Sequence, residues 1–515
     1  MKNIYSPDDI QAVMTASLGD EGSPRRRAFI RAAGMAVARH VAELQKGTDA
    51  RVVIFAGDTV NGAYAMDCGT ALHAMGVPAE VYLINIGNIL GRDGRIAKAE
   101  FIDKVGEEYL FETVDLNGLM PALTENVIVI DGLFGREYRK ALKGGYQATA
   151  RRINESGATV VAIDVPSGMT ESLEVGLINR NIVHADLTLT FVGPTLSFYM
   201  PENEELIGRW QILPLAYDRE TLRNVRCTAH VLDLASVRKV LPERPRSADK
   251  HDLGTALLFA GSYGMSGAAV LAARAALRSG CGRTVVHGPA CCYYVVQTAA
   301  PCATFESDGA DRENRHFETD VNADGIGVGP GLGRAEATVK GLETFLKNCQ
   351  ARRKPLVIDA DALNCLAASP MMLEYIPERS ILTPHAGEFD RLFGNQPSCS
   401  SRLLKAVEMS RRYRVVIVLK SHFTQIVWPD GSVLVNPTGT SALATAGSGD
   451  VLTGLITGLI AQGMKPELAA VAGVYIHGLA GRTAASIHGE AGTTAEDIAL
   501  AIGPAINSIV NKETK

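Results

Sequence analysis

A chain of 515 residues exceeds one ordinary domain, and roughly two to four are expected from its length. With 46% hydrophobic and 21% charged residues it has the composition of a globular protein with ample core material. A formal net charge of -5 excludes recognition of nucleic acid by a basic face, and partners recognised by bulk charge are not expected.

The start, MKNIYSPDDIQ, holds no apolar core segment, so no signal peptide is predicted and a cytoplasmic protein is expected. From Pro24 to Leu44 the spacing of Phe29, Ala33, Ala36, Val37 and Val41 predicts a helix with one apolar face. RVVIFAG, AEVYLINIG, NVIVIDG and ATVVAID are short β-branched runs that end in Gly or Asp. Alternating with helices, they predict βαβ units and a parallel sheet buried on both faces. After ADLTLTFVG the pattern loosens, and LPLAYDRETLRNVRCTAH reads as an edge strand running into a linker. A boundary near residues 220 to 245 is expected, drawn at 222/223. TALLFAG, RTVVHG, GIGVGPGLG, PLVIDAD, SILTPH and VVIVLK then restart the strand pattern, and DVLTGLITGLIAQG, AAVAGVYIHGLAGRTAASIH and AEDIALAIGPAI are mostly helical. GMSGAAVLAARAAL, interrupted by Arg274, is too short to cross a bilayer. Nine cysteines scattered without a C-x-x-C pair predict neither a disulfide framework nor a zinc site. The 51 glycines gather after the apolar runs, at the carboxyl ends of strands where α/β proteins bind ligands.

The densest glycine cluster is TAGSGDVLTG, Thr445 to Gly454. Gly447 and Gly449 let consecutive N–H groups aim at one point, and the helix starting near Asp450 adds its positive end. Such a nest stabilises a transferring phosphoryl group, with Asp450 placed to take the proton of the hydroxyl that receives it; taken alone, Asp450 reads equally as an ordinary acid at a helix start. The P-loop lysine is absent, so the arrangement is a kinase type of another kind.

The surrounding motifs, HDLGTALLFAGSYGMSGAAVLAARAALRSGCG, GIGVGPGLG, PLVIDADALN, ILTPHAGEFDRLFG, VLKSHFTQIV and NPTGTSALATAGSGDVLTG, closely resemble the NAD(P)H-hydrate dehydratase domain, a ribokinase-like αβα fold. That resemblance implies ADP- or ATP-dependent, Mg2+-assisted phosphorylation of the hydroxyl on the hydrated nicotinamide ring of NADH or NADPH hydrate, followed by loss of phosphate. It implies Asp450 as general base. The nucleotide falls to Lys420, Ser421, His422, Phe423, Thr424, Gly447 and Gly449, with Ser421 replacing the usual glycine. The substrate falls to Ala268, Gly331, His385 and Asp450. Asp359 and Asp361 either hold a magnesium-bound phosphate through water or cap the following helix, and His477 reads as a packed core histidine.

Residues 1 to 222, through RVVIFAGDTVNGAYAM, NVIVIDGLFG, VVAIDVPSG and ADLTLTFVGP, resemble the NAD(P)H-hydrate epimerase domain, a Rossmann-like three-layer αβα unit. The resemblance implies potassium on Asn61, Asp131 and Ser167, a substrate-contacting and catalytic acid at Asp164, and a phosphate-holding loop around Gly135. Two departures stand out. Thr59 to Ala65 replace the family's G-N-N-G-G-D-G, and Arg136 and Glu137 replace T-G, with Arg136 offering charge in exchange for lost shape. Two other readings stay open: a dehydratase with a non-catalytic amino-terminal module, and a vitamin-precursor kinase. A homo-oligomer is the family's habit.

Overall fold

The computed structural model describes residues 1–113, 120–171, 181–227 and 229–511. It divides into two α/β units, one of Ile4–Cys227 and one of Thr228–Lys515 together with Met1–Asn3. The division lies later than the 222/223 expected. The stretch read as an edge strand is instead the helix Arg219–Asn224, capped by Asp218, and the sheet edge is made just before it by Arg209–Ile212. Ala229–Val231 already belongs to the other unit, paired in parallel with Val433–Val435.

In the first unit a seven-stranded sheet runs in the order Leu110–Thr113, Ala79–Ile84, Arg51–Ala56, Val127–Gly132, Thr159–Ile163, Leu187–Thr190, Arg209–Ile212. Every pairing is parallel. Alternation along Arg51–Ala56 sends Val52, Ile54 and Ala56 to one apolar cluster and Val53 and Phe55 to the other, so helices cover both faces. The helix Pro24–Gln45 buries Phe29, Ala33, Ala36, Val37 and Val41 as its spacing predicts. Arg51–Ala56 and Val127–Gly132 are neighbours from which the chain winds outward in opposite directions, so the crevice above their carboxyl ends is the switch point where such sheets bind ligands.

The second unit is an eleven-stranded sheet. Its parallel body runs Thr304–Ser307, Arg283–Gly288, Thr255–Phe259, Gly325–Val328, Val357–Ile358, Ile381–Leu382, Val416–Leu419. The sheet then turns antiparallel through Gln425–Val427 and Val433–Val435, passes to Ala229–Val231 and ends on Lys2–Ile4. Here the switch point lies between Thr255–Phe259 and Gly325–Val328.

Helix Ser448–Ala461 is buried from Val451 to Ala461 and crosses Ser266–Ser279 at close range. A Cβ at Gly454 would collide with the Ala272 carbonyl, and one at Gly458 with the Ser279 hydroxyl. We expect Gly454→Ala to destabilise the unit by about 1–3 kcal/mol through overpacking, read as a lower denaturation midpoint. Among the described residues no helix is long and apolar enough to cross a membrane, and all nine cysteines are free.

Candidate active sites

In the second unit the glycine cluster opens the helix Ser448–Ala461, with Gly447 in the left-handed region at φ 88° as its cap. A side chain there would also strike Leu271, so glycine is needed on two counts. Asp450 in the first turn faces two chambers. The larger, about 540 Å³, is bordered by Lys420, Ser421, His422, Thr424, Gly447, Gly449 and His385. The other, about 480 Å³, is bordered by Ala268, Gly331, Asp361, Asn364 and the loop from Gly264 to Gly267. Asp450, Gly447, Ala360 and Glu388 belong to both. Lys420, Ser421, His422, Thr424 and Gly449 border only the larger chamber and Ala268 and Gly331 only the other, whereas His385, expected at the substrate, borders the larger one and Phe423 borders neither.

Local structure explains this sorting. His385 and Lys420 end adjacent strands and form a parallel bridge, with Lys420 N donating to the Pro384 carbonyl at 3.0 Å. His385 caps the helix Ala386–Phe393, its Nδ1 accepting from Gly387 N and Glu388 N, which leaves the proton on Nε2. Lys420 to Thr424 form the hairpin loop between Val416–Leu419 and Gln425–Val427, closed by Thr424 Oγ1 donating to the Ser421 carbonyl at 2.9 Å. Ser421 keeps a negative φ, so a serine in the family's glycine position costs no backbone strain. On the other side Gly331, at φ 58°, lies against Ala268; a Cβ on it would stand 3.0 Å from the Ala268 methyl.

The lysine absent from the glycine loop arrives from another strand. Lys420 Nζ donates to Asp359 Oδ1 at 2.9 Å and lies 3.6 Å from Glu388 Oε2. A Cβ on Gly449 would come within 3.2 Å of that ammonium and 3.5 Å of Asp359 Oδ2. Asp359 Oδ2 accepts from buried Thr453 Oγ1 at 2.7 Å. Both Asp359 oxygens are therefore engaged, and although Asp359 holds the N-cap position of Ala360–Ala368, its side chain makes no capping bond. Asp361 accepts from Gly333 N at 3.0 Å and borders the second chamber.

Electrostatics follow from this crowding. Burial, then the Asp359 charge, push Asp450 up to about 7, with Lys420 pulling the other way. Burial opposes the Lys420 ammonium, but Asp359 and Glu388 outweigh it and raise its pKa. His477, read as a core histidine, is buried and also borders the larger chamber, with Nε2 3.2 Å from Ser448 Oγ. Burial lowers it to about 4, so it is neutral near pH 7. Glu388, Thr453 and Ser448 were not singled out from sequence. Only the T-P-H-x-G-E stretch, a capping box on His385, carried a signal for Glu388.

In the first unit the expected residues meet at the switch-point crevice. Ser167 Oγ donates to Asp131 Oδ1 at 2.6 Å and Ser167 N to Asp131 Oδ2 at 2.8 Å, while burial pushes Asp131 up to about 6. Asn61 Nδ2 donates to the Ile163 carbonyl, and its buried Oδ1 has no partner. Asp164 sits in the left-handed region at φ 72°. Arg136 does not face outward to replace the lost glycines. Its guanidinium is buried, donating to Asp164 Oδ1 at 2.9 Å and Thr190 Oγ1 at 2.8 Å, with Glu171 Oε2 3.4 Å away. Burial opposes that charge, but Asp164 and Glu171 prevail and raise its pKa. Tyr64 is buried against Phe191. Among the described residues no group of three or more His, Cys, Asp or Glu is arranged to hold a metal ion.

Fold and crevices together define a two-unit α/β protein with a ligand crevice at the switch point of each parallel sheet. Residues 256–503 match the family model for NAD(P)H-hydrate dehydratase, and residues 26–197 that for the YjeF-related protein N-terminus. The chain is 34% identical over 451 residues to the bifunctional NAD(P)H-hydrate repair enzyme Nnr of Moorella thermoacetica, covering 84% of this chain and 83% of that protein. The Thermofilum pendens protein of the same name is 32% identical over 473 residues, covering 88% and 86%. A Bacillus subtilis ADP/ATP-dependent NAD(P)H-hydrate dehydratase, co-crystallised with ATP/Mg2+, is 31% identical, with a TM-score of 0.47, covering 54% of this chain and 97% of that one. The chain belongs to the bifunctional NAD(P)H-hydrate repair enzyme family.

Proposed function

We propose that this protein returns hydrated NADH and NADPH to the reduced dinucleotides, the second unit dehydrating the S hydrate at the expense of ADP or ATP and the first interconverting the R and S hydrates. The observation that carries the dehydratase reading is Asp450 on the shared wall of two chambers, one bordered by the Lys420 loop and the other by Ala268 and Gly331. A donor nucleotide in the first chamber points its terminal phosphoryl group at the Gly447–Gly449 nest. A hydroxyl in the second meets Asp450, which takes its proton as the oxygen bonds to phosphorus and the nucleotide leaves. The carbon–oxygen bond then breaks with its electron pair going to phosphate, a far better leaving group than hydroxide. Loss of a proton from the adjacent ring carbon restores the double bond. Asp361 would be the residue to face a magnesium ion through water, since Asp359 is committed to Lys420 and Thr453, and the ion would supply neutralising charge to the donor's phosphates.

For the first unit the proposal assigns potassium to Asn61, Asp131 and Ser167. Their oxygens suit a hard monovalent cation, and the orphaned Asn61 Oδ1 is the acceptor such an ion would satisfy. Asp164 is the acid proposed to work at the ring carbon that carries the hydroxyl. The protein works on a soluble small molecule, in the cytoplasm and as a homo-oligomer on this reading.

A matrix of ADP or ATP against S or R hydrate, followed by NADH absorbance, tests both halves. We expect NADH from S hydrate with a nucleotide and none without, and from R hydrate at a rate above spontaneous epimerisation. A stable phosphorylated alcohol with no NADH would identify a simple kinase instead. NADH from S hydrate alone would leave the first unit without the epimerase role.

A further inference from the structure

At the switch point of the first unit a carboxylate of the protein itself lies where an anion is best held. Thr59 is the N-cap of the helix Val60–Ala74, whose positive end opens onto the crevice above Arg51–Ala56 and Val127–Gly132. Glu137 Oε1 accepts from Thr59 Oγ1 at 2.8 Å and from Gly135 N at 3.3 Å. The next amide, Arg136 N, donates to Asp164 Oδ2 at 3.0 Å. Two successive N–H groups and a hydroxyl at a helix start, the donors a phosphoryl group would use, are thus satisfied by side-chain carboxylates. The crevice also holds two buried polar atoms with no partner, Asn61 Oδ1 and the Tyr64 hydroxyl. A Cβ on Gly135 would stand 2.6 Å from Glu137 Oε2, 2.9 Å from Asp164 Oδ2 and 3.3 Å from Asn61 Oδ1, so these groups converge on one spot. Tyr64 feels the charges of Asp164 and Glu137 directly.

We propose that the Gly135 amide and the Thr59 hydroxyl form an anion subsite that the protein fills with its own Glu137, so that a pyrophosphate-bearing ligand enters only by displacing that side chain. This rests on the reading of the first unit as a dinucleotide-hydrate site and adds a determinant of its affinity. Arg136 and Glu137 act as a pair. The guanidinium is turned inward and neutralises Asp164 and Glu171, while the carboxylate is turned onto the loop and mimics the ligand's charge. Glu137 is exposed and anchored by two bonds, both broken by a single side-chain rotation, whereas Arg136 is anchored on three buried partners. The displaceable member is therefore Glu137.

The test uses the full chain with its second-unit nucleotide site saturated by a non-hydrolysable ATP analogue and magnesium. ADP-ribose, which carries the pyrophosphate without a reactive ring, is titrated calorimetrically into wild type, Glu137→Gln and Glu137→Gly. We expect both variants to bind at least tenfold more tightly, with the glycine variant tightest because it frees the Gly135 amide and the Thr59 hydroxyl altogether. Affinity equal to or weaker than wild type in both overturns the proposal. Epimerisation of R hydrate without nucleotide, which leaves the dehydratase silent, supplies an independent readout, with KM expected to fall at least tenfold in both variants and kcat to stay within twofold. Tighter ADP-ribose binding without epimerisation in any variant would defeat the epimerase reading while leaving the self-filled subsite standing.

Discussion

Asp450→Asn is expected to lower kcat for dehydration by about 10²–10⁴-fold while nucleotide affinity changes little, because the amide keeps the shape of the nest and loses only the base. In the wild-type enzyme kcat should rise as pH approaches about 7 and level off above it, since the base works only as the carboxylate and burial holds it protonated below that point. The same group fixes an opposite trend in stability. Its folded pKa lies above the 3.8 of the free side chain, so the folded state binds the proton more tightly than the unfolded chain does. The cost of ionising it in place accumulates between pH 3.8 and about 7 and is fully present above. The Asn variant should therefore be more heat-stable than wild type at pH 8, by an amount that vanishes near pH 4. Retained turnover in that variant would remove Asp450 from the role of base. An unchanged denaturation temperature at pH 8 would mean that its charge is better compensated than the Asp359 neighbourhood implies.

Lys420→Met carries the second large effect. Asp359 is almost wholly buried, with 1% of its side chain exposed, and Lys420 supplies its only counter-charge among the described residues. Breaking a buried pair by removing one partner costs about 3–5 kcal/mol, so the variant should unfold at clearly lower temperature. Activity should fall by about 10²-fold or more, the usual cost of removing one stabilising donor from a charged transition state. A merely structural role for Lys420 would not move the pH profile of the residual activity. Because Lys420 holds the Asp450 pKa down, its loss should carry the midpoint of that profile above about 7. Adding Asp359→Asn to Lys420→Met should recover much of the lost stability and little of the activity. Recovery of both would leave Lys420 without a part in the chemistry.

How far such a site is legible in sequence depends on whether its parts are local. Gly447, Gly449 and Asp450 lie within one turn, and their purpose follows from backbone freedom and helix polarity alone. The parallel strands announce themselves as β-branched runs, and Phe29, Ala33, Ala36, Val37 and Val41 mark the buried stripe of their helix. Lys420 could be placed near the nucleotide by resemblance, but its pairing with Asp359 joins residues 61 positions apart, and no local pattern encodes that. Asp359 illustrates the converse case. Its position at the end of Val357–Ile358 fits a helix cap, yet its oxygens turn to the Lys420 ammonium and the buried Thr453 hydroxyl, which outcompete the amides at the start of a short helix. Short strands such as Gln425–Val427 and Val433–Val435 escaped notice because three residues hold too little alternation to register. The inward turn of Arg136 was hidden for the same reason as the lysine pairing: Asp164, Glu171 and Thr190 come from three separate stretches.

The chain begins in the unit that it also ends in: Met1–Asn3 belong with Thr228–Lys515, and Lys2–Ile4 forms the outermost strand beside Ala229–Val231. A nucleotide-using fragment obtained by starting at residue 228 would lack that strand and bare the backbone of Ala229–Val231, an invitation to edge-to-edge association. During synthesis the opening residues emerge more than two hundred positions before their partner strand, so the sheet cannot close at that edge until the whole first unit has left the ribosome. Separating the two activities is therefore better done by point substitution than by cutting the chain at residue 228.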